Sequence, residues 1–145
     1  MKNLKVICFT LALFLMPAYA YSIGDLRISL LEGDVQIRTE STSEWVPASI
    51  NTPLLDGDRL WVPEGGRVEI QLRDGTFLRL NENSSLDILA LDNDSSQFYL
   101  AEGNAYVNFR GLRDNLIQID TPVSSIRTFD KAKFRIDVKD LPKNV

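Results

Sequence analysis

Val68-Glu69-Ile70-Gln71-Leu72, then Arg73-Asp74-Gly75, then Thr76-Phe77-Leu78-Arg79-Leu80 is the stretch whose reading decides the fold. On both sides of the Arg-Asp-Gly triplet, apolar residues alternate with polar ones, the period-2 pattern of a half-buried strand; the acidic-glycine pair between them marks a turn. The same pattern selects a register. A two-residue loop would set Ile70 opposite Arg79 and bring a charge onto the apolar face. A three-residue loop with Gly75 in the left-handed conformation sets Ile70 against Leu78, Val68 against Leu80 and Glu69 against Arg79. The bulged turn is the expectation, and Gly75 suits it because other residues meet a steric penalty at positive φ.

Working outward, similar alternating runs cover residues 86–91, 98–109 and 134–138, so the module is expected to be all-β, with short strands joined by glycine turns. Upstream, residues 28–31 and 35–38 flank Glu32-Gly33-Asp34, which reads as a tight β turn. A polar stretch at 39–44 leads to Trp45-Val46-Pro47, and Leu54-Leu55-Asp56-Gly57-Asp58-Arg59-Leu60-Trp61-Val62 reads as a turn feeding a strand. Pro47, Pro53 and Pro63 fit strand ends or edges, since proline has no N–H for a central ladder. No linker composition or sustained helical period intervenes, so one domain is expected.

The first 20 residues read as a secretory signal: Lys2 and Lys5, an apolar run at 6–16, and Ala18-Tyr19-Ala20 as the cleavage site. The run is shorter than the roughly 20 residues a spanning helix needs. Cleavage after Ala20 would leave residues 21–145 as the mature domain, periplasmic or secreted, with no membrane span. It would also remove Cys8, the only cysteine, together with two lysines, leaving 14 basic against 20 acidic residues. An acidic exported domain is a poor match to nucleic acid, whose phosphates reward a basic face. Without disulfides its stability must come from its own core, which a chain of this size can bury.

The chain contains no histidine, which together with the loss of Cys8 excludes Ser-His-Asp and Cys-His nucleophilic systems and ordinary zinc sites. Carboxylates are the remaining catalytic candidates. Asp56, Asp58, Glu64, Asp74 and Glu102 adjoin glycines, however, and read as turn residues bonding local backbone N–H groups. Asp92-Asn93-Asp94-Ser95-Ser96 has oxygen ligands at alternate positions, but Gln97 and Gly103 stand where a calcium loop needs glycine and glutamate. It reads as a polar connection between strands. No catalytic, cofactor or metal residue is assigned, and the chain is not expected to be an enzyme.

Gly66-Arg67-Val68-Glu69-Ile70-Gln71-Leu72-Arg73-Asp74-Gly75-Thr76-Phe77-Leu78-Arg79-Leu80, followed by Ser84-Ser85-Leu86, resembles the core of the FecR-type periplasmic domain family. Phe98-Tyr99-Leu100-Ala101-Glu102-Gly103-Asn104-Ala105-Tyr106-Val107 is similar to that family's second glycine turn, and residues 117–134 resemble its closing section. The likeness extends upstream through Leu31-Glu32-Gly33-Asp34-Val35, Trp45-Val46-Pro47-Ala48 and Gly57-Asp58-Arg59-Leu60. It implies a solenoid-like (β-helix-like) or irregular β-sandwich domain used for sensing and protein contact outside the cytoplasm. The leader replaces the cytoplasmic helical segment and internal span of the regulators that relay a transporter's state to a sigma factor, and Asp130-Lys131-Ala132-Lys133-Phe134 stands where the family has Gly-Thr-x-Phe. The chain therefore resembles the exported, stand-alone branch. The last strand, at 134–138, is expected to be an unpaired edge open to a partner strand; either the product is a short version of the domain or the frame continues past Val145.

Two functions follow as expectations. The first is a non-catalytic protein-interaction or sensory module with an envelope protein as partner, linked to signalling or transport regulation. The second is an envelope structural or carbohydrate-binding module, for which Trp45 and Trp61, beside prolines in turn regions, are the candidate ligand-binding residues because indoles stack on sugar rings. Against it stands the expectation that both indoles close the ends of the core.

Overall fold

The computed structural model describes residues 25–139; the stretch expected to be a signal, at 1–20, and the final residues lie outside the described residues. All regular structure among them is strand: β1 (Leu26–Glu32), β2 (Gln36–Arg38), β3 (Val46–Pro47), β4 (Pro53–Leu54), β5 (Arg59–Val62), β6 (Arg67–Leu72), β7 (Phe77–Leu80), β8 (Ser84–Leu91), β9 (Ser95–Phe109), β10 (Leu116–Asp120), β11 (Ser125–Thr128) and β12 (Ala132–Val138). The all-β expectation holds.

The β6–β7 hairpin has the register that its hydrophobic pattern demands. Val68 pairs with Leu80, Glu69 with Arg79 and Ile70 with Leu78. Around Arg73-Asp74-Gly75 the Leu72 N–H donates to the Thr76 carbonyl (2.8 Å) and the Gly75 N–H to the Leu72 carbonyl (3.0 Å). Gly75 has φ +85°. The Asp74 carboxylate accepts the Thr76 N–H at 2.8 Å, so the short acidic side chain closes its own turn. Val68, Ile70, Leu78 and Leu80 are fully buried, while the Arg79 guanidinium reaches the Glu69 carboxylate at 2.7 Å on the other face.

The twelve strands form one sheet folded on itself into two leaves. One leaf runs β4-β1-β6-β7 and then the second half of β9 and β12; the other runs β3-β2-β5-β8 and then the first half of β9, β10 and β11. Four chain segments cross side by side from leaf to leaf: β1 to β2, β5 to β6, β7 to β8, and β9 within itself. Together they make a crease. At each crossing a glutamate precedes a residue at positive φ: Gly33 (+74°), Gly65 (+76°), Asn83 (+57°) and Gly103 (+83°). Corners of this kind, at which strands change sheets through bends or bulges, let one hydrogen-bonded ladder wrap both sides of a core.

Two expectations are corrected by the crease. Glu32-Gly33-Asp34 does turn the chain, but β1 and β2 do not pair; β1 lies beside β6 in one leaf and β2 beside β5 in the other. Glu102-Gly103 is not a turn between two strands. β9 continues through it for 15 residues, pairing with β8 before it and with β7 and β12 after it. The physical reason is contact. A Cβ on Gly103 would overlap the Ser84 hydroxyl and the Asn83 carbonyl. The buried Ser84 Oγ accepts the Asn104 N–H (3.0 Å) and donates to the Asn104 carbonyl (3.2 Å), fastening β9 to the neighbouring crossing.

Both inner faces feed a single core, with Leu26, Ile28, Ile70, Leu78, Val107 and Phe109 from one leaf and Leu60, Leu86, Ile88, Phe98, Leu100 and Ile119 from the other. Of the two arrangements that the resemblance implies, the antiparallel hairpin pairing realises the irregular sandwich. The only parallel pair among the described strands is β9 with β10. It arises because residues 110–115 carry the chain from one leaf to the other across the end opposite the crease. Prolines fall where expected: Pro47 and Pro53 in two-residue edge strands, and Pro63 just past β5.

Candidate interaction surfaces

Trp45 and Trp61 lie on the outer face of the leaf that starts with β3. Ile37 points inward from β2, so Gln36 and Arg38 point outward, and the register sets Trp61 opposite Gln36 and Arg59 opposite Arg38. In β5 the inward positions are taken by Leu60 and Val62, which forces the Trp61 indole out to a half-buried place. Trp45 immediately precedes β3 and is 42% exposed, with the Arg38 guanidinium 5.3 Å over its ring. The expectation that both indoles close the ends of the core is therefore overturned: strand alternation gives the core to smaller aliphatic residues.

The indoles share one outer face, on opposite sides of β2 and two residues apart in register. Between and beside them stand polar groups that sequence reading did not single out: Gln36, Arg38, and the Arg59–Asp87 ion pair at 2.7 Å. The signal was available, because period-2 alternation from Ile37, Leu60 and Leu86 assigns each of these to the outside. One face of Trp45 is engaged by Arg38, a cation–π contact of the kind that guanidinium groups favour.

At the end opposite the crease, a cavity of about 380 Å³ opens between the leaves. Its floor is apolar, with Leu72, Phe109 and Ile117. Its rim carries the Asp25–Arg73 ion pair (2.7 Å), Asp92 and Arg113. Arg113 and Asp114 are consecutive non-glycine residues at positive φ (57° and 55°), closed by the Asn115 N–H donating to the Leu112 carbonyl. This rim is assembled from four separate segments. Sequence reading missed it for that reason.

A polar hub ties together the far strands of the β11 leaf. The Asp120 carboxylate accepts bonds from Ser125 Oγ (2.6 Å), Gln97 Nε2 (2.7 Å) and Gln118 Nε2 (2.8 Å). The Ser125 bond leads in holding its pKa below the ordinary carboxylate value, against a smaller opposing effect of desolvation. Asp92-Asn93-Asp94 is the turn between β8 and β9, with the Asp92 N–H donating to the Ser95 carbonyl and Ser95 Oγ to the Asp92 carboxylate.

The last strand, β12, pairs with β9 over its whole length, from Ala132 opposite Phe109 to Val138 opposite Gly103. It is therefore not unpaired, as expected from sequence, but its other side meets no strand among the described residues. Ala132, Phe134, Ile136 and Val138 face the core, while Lys133, Arg135 and Asp137 face outward and are exposed. The Arg135 guanidinium donates to both carboxylate oxygens of Asp137, at 3.0 and 3.1 Å.

The family model described as FecR protein matches residues 58–144, more than half of the chain, running from the turn before β5 through β12. No curated protein and no solved structure matches.

Proposed function

Starting from the fact that the chain belongs to the FecR family, we propose that it is an exported, non-catalytic sensory module of the cell envelope that works by binding another protein. The family is regulatory and sensory in character. Export rests on the tripartite N-terminus, and a binding rather than a chemical role rests on the residue inventory, without histidine and with its only cysteine in the leader. The observation that carries the reading is that the matched region contains β12, a seven-residue strand whose outer edge is open among the described residues. Strand addition to such an edge is a common mode of protein recognition, in which the backbone supplies affinity and alternate side chains supply selectivity.

Cross-linking of the chain in the envelope fraction, followed by peptide mass spectrometry, tests the reading. A specific envelope protein joined to the domain is the expected result. Reproducible turnover of a substrate, abolished when one carboxylate is changed to its amide, would replace the proposal with an enzyme. Intact mass of the recovered protein checks export: a periplasmic form that retains residues 1–20 contradicts cleavage after Ala20.

A second reading, a glycan-binding surface, is favoured by one observation: Trp45 and Trp61 share an outer face with Gln36, Arg59 and Asp87 around them. Stacking indoles beside hydrogen-bonding groups suit a sugar ring. Binding to a purified envelope glycan that is lost in both Trp45→Ala and Trp61→Ala, with no change in unfolding midpoint, would promote this reading over the first.

A further inference from the structure

Among the described residues four strands end the two leaves, and they are not equally guarded. β3 and β4 have two residues each, and each includes a proline, which cannot donate to an added strand. β11 has four residues. β12 has seven, with no proline, and its register with β9 advances one residue at a time from end to end. A strand that is regular on its paired side directs alternate N–H and C=O groups outward on the other, which is a template for one more strand.

The chemistry of β12 narrows the occupant. On the core side, Phe134 and Val138 are only partly covered at the margin of the core, so an added strand with apolar residues there would finish their burial. On the outer side, Lys133 and Arg135 are exposed, and Lys131 and Lys139 flank them. From Lys131 to Lys139 there are four basic residues against Asp137 alone, in a chain whose net charge is −4. Asp137 is occupied by Arg135.

We propose that β12 accepts an extended segment of another protein in which apolar residues alternate with acidic ones, the apolar side chains continuing the core beside Phe134 and Val138 and the carboxylates standing opposite Lys133 and Arg135. This inference rests on the protein-interaction reading above and narrows it to one edge and one class of partner segment. Opposite charges directly across a strand pair are favourable and like charges unfavourable. That rule disfavours a second copy of this chain. Antiparallel self-pairing centred on Arg135 sets Arg135 against Arg135 and Lys131 against Lys139 twice; Lys133 meets Asp137 twice in return, but that carboxylate is already engaged by Arg135. A basic edge thus rejects its own copy while admitting an acidic strand, a common use of lysine on open edges.

The test uses the full chain and three synthetic nine-residue peptides: valine alternating with glutamate, valine alternating with lysine, and the glutamate composition with the alternation scrambled. Affinity is read by titration, and location by amide chemical shifts and hydrogen exchange. The alternating glutamate peptide should bind at least about ten-fold more tightly than either other peptide, weaken as salt rises, and slow exchange at the outward amides of β12. Lys133→Glu with Arg135→Glu, both at exposed positions, should reverse the preference between the glutamate and lysine peptides while leaving the thermal midpoint within about 2 °C. Equal binding of the charged peptides, protection at another edge, absence of binding, or a concentration-dependent dimer with β12 protected would each overturn the assignment. If an envelope protein still cross-links elsewhere on the domain, the interaction reading survives that failure. Acidic-peptide binding at β12 with no envelope protein ever cross-linked would instead leave this assignment standing and remove the reading beneath it.

Discussion

Gly75 and Gly103 both follow an acidic residue and have nearly the same φ, +85° and +83°, yet they sit in opposite kinds of place. A Cβ added to Gly75 would meet no atom within 4 Å. A Cβ added to Gly103 would overlap Ser84 and Asn83, because there the longest strand bends across the neighbouring crossing. In the first case only the backbone conformation selects glycine, and in the second a packed neighbour 19 or 20 residues away selects it again. The hairpin tip is a local device. The crease is a tertiary one, and it holds both leaves to a single core.

This comparison breaks first at Gly103→Ala. The substitution adds a steric overlap with backbone to the penalty of positive φ, and it should lower stability by about 3 kcal/mol or more. Urea unfolding with an unchanged m value measures it. A loss no larger than that of the hairpin glycine would show that the crease is soft.

Ser84→Ala comes next. It removes a fully buried hydroxyl that both accepts the Asn104 N–H and donates to the Asn104 carbonyl, and it should cost about 1–3 kcal/mol. The same hydroxyl is one of the atoms that a Cβ on Gly103 would strike. Losses from the two substitutions should therefore fall short of additive in the double variant, by at least about 0.5 kcal/mol. Strict additivity in the double-mutant cycle would mean that the two residues do not share the crease contact.

At the hairpin tip, Gly75→Ala should cost about 1 kcal/mol, since only the left-handed backbone is penalised. Gly75→Asn should lose less than Gly75→Ala, because asparagine tolerates that conformation. An inverted order in thermal midpoints would indicate that space, not φ, decides the position. The smallest effect belongs to the polar side of the same hairpin. Glu69→Gln weakens the 2.7 Å ion pair with Arg79, whose side chain is 40% exposed, and should cost under about 1 kcal/mol, less at high salt. Unfolding at low and high ionic strength separates the charge effect from the hydrogen bond that Ser29 Oγ also donates to Glu69.

The hairpin register was legible because the residues that select it lie within 13 positions. Val68, Ile70, Leu78 and Leu80 set the face, Arg79 excludes the two-residue loop, and Asp74 bonds its own turn. The crease was legible only in part. Reading every acidic-glycine pair as a turn merged two classes that the chain itself separates: aspartate precedes the turns at Gly57 and Gly75, while glutamate precedes all four crease residues. The side-chain lengths give a reason. Asp74 reaches the N–H two residues on, whereas the longer Glu82 reaches across to the Gly65 N–H of the adjacent crossing at 2.7 Å.

The candidate surfaces divide the same way. Trp45 and Trp61 were picked out as residue types, but their outward placement followed from Ile37, Leu60 and Val62 taking the inner positions. The rim of the end cavity joins residues near 25, 73, 92 and 113, which no local pattern links. Sequence alone determined the all-β class, the hairpin register and the edge character of the proline strands, because alternation and turn chemistry act between near neighbours. Only the tertiary structure decided that β9 bends through Gly103 without ending, that β1 and β2 part into different leaves, and that β12 is paired on one side only among the described residues. Those outcomes depend on which distant strand supplies each backbone hydrogen bond, and that choice is made by the closing of one core between two leaves.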